Sequence, residues 1–128
     1  MMPSLFIAHG APLLAIEDNQ STQFLEELGR TLPRPQAIVL FSAHWEASTQ
    51  QVSDVDEYST IHDFGGFPRA LFEIEYPAKG DHELSKDIQE LFSAHSISYN
   101  VHPERGLDHG AWVVLKMLYP EADIPVIS

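Results

Sequence analysis

The chain has 128 residues, with 7 Lys+Arg against 19 Asp+Glu and a formal net charge of -12. This length holds one domain with a real core and excludes a second independent one, while the charge repels nucleic-acid phosphates and anionic membrane surfaces. It contains no cysteine, which excludes disulfides, thiolate metal sites and a cysteine nucleophile and leaves histidine, carboxylate or water to hold any metal.

The opening residues carry no basic signal region, and no apolar run approaches the roughly 20 residues of a membrane span. A cytoplasmic protein with no membrane partner is expected. "SLFIA" (4–8) reads as a buried strand, and "STQFLEELGRTL" (21–32) as a helix with Phe24, Leu25 and Leu28 on one face and Ser21 or Thr22 as its cap. "AIVLFSAH" (37–44) is apolar over five successive residues, as strands of a parallel sheet covered on both faces are. "STQQVSD" (48–54) alternates weakly, as an edge strand does, and "EYSTIHDFGGFPRA" (57–70) is mostly loop.

"HELSKDIQELFSAH" (82–95) spaces Leu84, Ile88, Leu91 and Phe92 as one helical face, with Asp81 near its start. "SYNVH" (98–102) reads as a strand, "GAWVVLKMLYP" (110–120) as a helix stopped by Pro120, and "IPVIS" (124–128) as one more buried strand. The fold class that follows is α/β: a mostly parallel, mixed sheet with helices on both faces. With no terminating signal after Pro125, the fold reads as truncated, and more protein is expected to follow.

Seven histidines concentrate the chemistry. His82 and His95 stand at the two ends of one helix, where solvation explains them, and His102 suits a surface or supporting role beside Pro103. His9 and His44 each follow an apolar strand, and ligands of open α/β sheets bind beyond the carboxyl ends of the strands. Imidazoles delivered there could share one ion at N–metal distances of about 2.1 Å, with Gly10 clearing space beside His9. The alternative is that both merely bond loop backbone. "TIHDFGGFP" (60–68) adds His62, Asp63, Phe64, Gly65 and Phe67, and "GLDHGAW" (106–112) adds Asp108 and His109. Aromatic side chains near a glycine pair form a wall for a planar ligand, and histidine serves as acid or base near neutral pH. Ordinary turn chemistry competes: Asp108 would cap the next helix, and Phe64 and Phe67 would plug the core.

"AHGAP" (8–12), "LPRPQAIVLFSAHWE" (32–46), "TIHDFGGFP" (60–68) and "GLDHGAW" (106–112), in this order, resemble the DODA-type extradiol aromatic ring-opening dioxygenases of the class III, LigB-like group. The resemblance runs over essentially the whole chain and implies that residues 1–128 form the N-terminal part of a single catalytic domain. It implies a non-haem Fe(II), with Zn(II) in its place in some members, held by His9, His44 and a third ligand from a later part of the domain. His109 and His62 then match catalytic positions in the pocket, with Asp63, Phe64, Gly65, Phe67 and Asp108 on the substrate. The implied partners are a small aromatic diol and O2, and either a homodimer or a complementing C-terminal segment would complete the site. Glu46, two residues after His44, is a weaker candidate for the missing ligand. The competing functions are a non-catalytic metal-binding or interaction protein on the same fold and a metal-dependent hydrolase using a zinc-activated water.

Overall fold

Residues 2–128 are described by the computed structural model. A short 3-10 helix, Pro12–Ile16, precedes helix α1, Gln20–Thr31. Then come strands β1, Ile38–Val39, and β2, Gln50–Ser53. Helices α2, Arg69–Phe72, and α3, His82–Ala94, lead to strand β3, Tyr99–His102. Helix α4, His109–Leu118, and strand β4, Val126–Ile127, close the order.

Both ladders are parallel, in keeping with the α/β expectation. β1 pairs with β4 in the register Ile38↔Val126, and β2 pairs with β3 from Gln50↔Tyr99 to Ser53↔His102. Ser128 stitches the two together, its carbonyl accepting the Ser53 N–H at 2.9 Å. At its last residue, Ser53, β2 is bonded on both sides, and Val52 and Ser53 are buried; along the rest of its length β3 is its one ladder partner among the described residues, as expected of an edge strand.

Two expected strands are shorter than their apolar runs. Residues 4–8 form no ladder, and Leu5 and Phe6 are exposed. An apolar run becomes a strand only where a neighbour takes its backbone hydrogen bonds. Of 37–44, only Ile38–Val39 is strand, extended slightly by the Leu40 N–H on the Ile127 carbonyl at 2.9 Å. Val39 and Phe41 stay exposed.

Two residues before Ser21, the nearer of the expected caps, stands the α1 cap itself, Asn19. Its side chain accepts from the Ser21 and Thr22 N–H groups, and Thr22 Oγ1 accepts the Asn19 N–H at 2.9 Å, forming a capping box. Such a cap contributes about 1 kcal/mol. α3 lies where its periodicity predicts, capped by Asp81 on the Leu84 N–H at 3.0 Å. Its inward face differs: Leu91 is exposed, and Ser85 is buried with its hydroxyl donating to the Ser53 carbonyl at 2.7 Å. That bond fastens α3 to β2.

α4 is buried on nearly every side, as a helix apolar all round must be. Trp112, Leu71, Tyr76, Leu107 and Val126 pack as the main core around it. A second cluster joins Leu25 of α1 to Val114, Met117 and Leu118 of α4. Segment 57–68 is loop, as expected, tied down by the bridges Glu57↔Lys79 and Thr60↔Leu107. Among the described residues, no helix is long and apolar enough to cross a membrane.

Candidate metal centre

Three segments converge at one edge of this core. His9 leads into the 3-10 helix through Gly10, whose φ of +65° only glycine adopts at little cost. A Cβ there would meet nothing closer than Leu14 Cδ2 at 3.8 Å, so backbone conformation, not clearance, requires the glycine. His44 sits in the turn after β1, where the Trp45 N–H returns to the Ser42 carbonyl at 3.2 Å. His109 is the first residue of α4, directly after the cap Asp108.

Ligand nitrogens of His9, His44 and His109 all lie within 4.8 Å of one another. The Nε2 atoms of His9 and His44 are 2.9 Å apart. Two nitrogens each about 2.1 Å from an ion, at neighbouring octahedral positions, would stand about 3.0 Å apart. Borderline imidazole donors, no thiolate and this spacing suit a divalent transition metal. His9 Nδ1 is buried without a hydrogen-bond partner. Burial, with His44 and His109 nearby, pushes the His9 pKa down, favouring the neutral ring that metal binding needs. Glu46 is not in the cluster.

His109 enters this cluster although its motif suggested a pocket role. Its Nδ1 bonds Asp63 Oδ1 at 2.8 Å, and its backbone N–H donates to the same oxygen at 2.9 Å. A carboxylate accepts only, so Nδ1 carries the proton and Nε2 is left free as base or ligand. Burial works to raise the Asp63 pKa, but the two bonds from His109 outweigh it and hold the carboxyl below its ordinary value.

Gly110 makes room for His44. A Cβ at this position would lie 2.7 Å from His44 Cδ2 and 3.0 Å from Ser42 Oγ. The His44 and His109 rings consequently approach to 4.1 Å between centroids.

Asp108, expected on the substrate, is 2 % exposed and has both oxygens engaged by protein. Oδ1 accepts from Ser42 Oγ at 2.6 Å and from the Ala111 N–H at 3.2 Å, and Oδ2 accepts from Arg105 Nη2 at 3.1 Å. It is the helix cap after all, and it also secures the His44 turn.

His62 Nε2 donates to the Ile74 carbonyl at 2.8 Å, leaving Nδ1 as its free nitrogen. Its ring packs with Phe64, Phe72 and Trp112, and Phe64 in turn meets His109 edge-on at 5.7 Å. Phe67 adds to the same wall, 5.6 Å from Phe64. Gly65 is exposed and faces open space. Phe72, Ser42, Arg105 and Gly110 were not singled out from sequence, because each matters through a partner distant in the chain. His82 is more than a solvated helix end: its ring lies between Asp54 and Asp56. A cavity of about 160 Å³ between β1 and α3, lined by Phe41, Trp45, Ile88 and Phe92, includes none of the three clustered histidines.

Comparison with known proteins gives the family of the chain. The family model described as the catalytic LigB subunit of aromatic ring-opening dioxygenase matches residues 3–128. The chain belongs to this family. It is 46% identical over 127 residues to the 4,5-DOPA dioxygenase extradiol of Escherichia coli (strain K12), covering 99% of this chain and 46% of that protein. To the protein of the same name from Beta vulgaris it is 46% identical over 127 residues, covering 96% of this chain and 47% of the relative. The crystal structure of an uncharacterized Escherichia coli K12 protein superimposes with a TM-score of 0.68 at 39% identity, over 87% of this chain and 40% of that one. The LigB-family chain thus spans about half the length of the curated relatives it matches.

Proposed function

We propose that this chain carries the metal-binding and proton-handling part of an extradiol dioxygenase that opens the ring of a catecholic substrate with O2. The observation that carries the proposal is the convergence of His9, His44 and His109 at one edge of the core, in a chain of the LigB family. His9 and His44 would hold the metal. Fe(II) bound there would supply the electron relay between a catecholate and O2, and Zn(II) fits the same nitrogens without redox chemistry.

The protein's own groups do the rest. His109 presents Nε2 to take a phenolic proton as the diol binds and to return it after cleavage, its tautomer held by Asp63. Phe64 and Phe72 pack against His62 and Phe67 against Phe64, a wall of edge-on and tilted rings that can take an aromatic ring. His62 keeps Nδ1 for a substrate hydroxyl, and Gly65 leaves the wall's rim open. Asp108 acts by holding Ser42 and the first turn of α4.

Completion of the pocket is assigned to further polypeptide. Phe6 and Phe41, each three residues before a proposed ligand, are 104% and 76% exposed. Such apolar surface is expected to be covered, here by a segment equivalent to the second half of the relatives. The acidic surface, with net charge -12, fits a small-molecule enzyme of the cytoplasm rather than a nucleic-acid binder.

Anaerobic loading with Fe(II), followed by L-DOPA and O2, tests the proposal. Yellow ring-opened product is expected when the separately made C-terminal half of the Escherichia coli relative is added. Its absence, while the intact relative makes product under the same conditions, would overturn the reading. Product from a purified dimer of this chain alone would replace the complementing segment with a second copy.

A further inference from the structure

We propose that Arg105 is a positioning residue that locks the His44 turn onto the start of α4 and so sets the spacing of the three imidazoles. The inference rests on the reading of this cluster as a metal centre, with His9 and His44 as ligands and His109 beside them. Arg105 lies in the turn between β3 and α4, and its side chain reaches the chain neighbours of both His44 and His109. The guanidinium carbon stands 4.6 Å from the centroid of the Trp45 ring. Nη2 donates to Asp108 Oδ2 at 3.1 Å.

These contacts close a ring of interactions. The His44 N–H donates to Ser42 Oγ at 3.2 Å, and Ser42 Oγ donates to Asp108 Oδ1 at 2.6 Å. Asp108 accepts Arg105, Arg105 covers Trp45, and Trp45 is bonded to His44. The backbone of Arg105 is fixed too, its N–H donating to His102 Nδ1 at 3.0 Å while the His102 ring meets Trp45 edge-on at 6.0 Å.

The bridge is shielded from solvent, with the Asp108 side chain 3% exposed and that of Arg105 23%. In that setting an ion pair is screened little by water. Arg105 Nε is buried without a partner. The guanidinium plane is therefore placed for Trp45 and Asp108 at the expense of a hydrogen bond elsewhere. Lysine has no planar fork and could not serve both partners at once.

Cobalt(II) alone is the probe, titrated into the purified chain and its Arg105→Met and Arg105→Lys variants, reading affinity and the visible ligand-field band. Folding is checked by circular dichroism at the titration temperature. Arg105→Met is expected to weaken Co(II) binding by about 10-fold or more and to alter the band, as supporting contacts of metal ligands do. Arg105→Lys, which keeps the charge on Asp108, is expected to fall between the two. In combination with Trp45→Leu, Arg105→Met should add little further loss. A folded Arg105→Met chain with wild-type affinity and band overturns the proposal. If that variant does not fold, wild-type behaviour of Arg105→Lys overturns it. Failure of the unaltered chain to bind Co(II) instead overturns the metal-centre reading, and the positioning role with it.

Discussion

His9 and His44, separated by 35 positions in the chain, face each other through their Nε2 atoms at 2.9 Å. Two neutral rings can share one proton at this distance, and an ion can replace that proton. Replacing either ring should therefore remove half of a preformed chelate. We expect His9→Ala and His44→Ala each to reduce bound Fe(II) or Zn(II) at least tenfold by metal analysis after reconstitution. Undiminished content in both would remove them as ligands.

Gly110→Ala should separate stability from metal binding. In a helix, alanine is favoured over glycine by about 1 kcal/mol. The new Cβ would meet the ring of His44, an exposed side chain that can swing away, and press on Ser42 Oγ at 3.0 Å and Asp108 Oδ1 at 3.2 Å, which must give by a few tenths of an ångström. Thermal unfolding should shift little, the alanine gain offset by crowding of the Ser42–Asp108 bond, while Co(II) affinity falls about tenfold. Unchanged affinity would show that His44 can bind metal from a displaced position.

The Asp63 carboxyl is held below its ordinary value in the folded chain by the bonds from His109. Its stabilising contribution is therefore full above the unfolded value and is lost as pH falls through the folded one. Asp63→Asn should flatten the acid side of the stability profile below about pH 4. In the complemented enzyme it should also lower turnover by about 10- to 100-fold, because the His109 tautomer is no longer fixed. A stability profile superimposable on that of the unaltered chain would rule out this coupling.

His82 behaves in the opposite sense. Asp56 and Asp54 hold its imidazolium and raise its pKa above the ordinary 6.5. Stability from this contact is complete below the unfolded value and disappears as pH rises through the folded one. The midpoint of thermal unfolding should thus decline as pH rises above the ordinary histidine value by more in the unaltered chain than in His82→Gln, on the order of the single proton involved. Equal slopes would mean that solvent already satisfies the ring.

Much of this architecture was legible in the sequence, and the exceptions share a cause. α3 and α4 announce themselves through periodicity, and the four motifs containing His9, His44, His62 and His109 mark the loops that matter. Residues 4–8 misled because strand formation depends on a neighbour that no local pattern reveals. Ser21 and Thr22 are good caps by type, yet Asn19 wins through a reciprocal bond with Thr22. His109 could be placed near the site but not within reach of His9 and His44, since that depends on Asp63 claiming its other nitrogen. Arg105 is one of 7 basic residues, and nothing in its own neighbourhood distinguishes it from a solvated cation. Only the meeting of Trp45 and Asp108 does so.

Asp108 carries one last consequence. The carboxylate oxygen that caps α4 at the Ala111 N–H is the same one that receives Ser42. The start of α4 and the turn that carries His44 therefore hang on one oxygen, although the Ala111 N–H also reaches the Asp108 backbone carbonyl at 3.0 Å. If loss of the Asp108 side chain loosens both ends, amide exchange at Ala111 and at His44 should rise together in Asp108→Ala and be slowed together when metal binds.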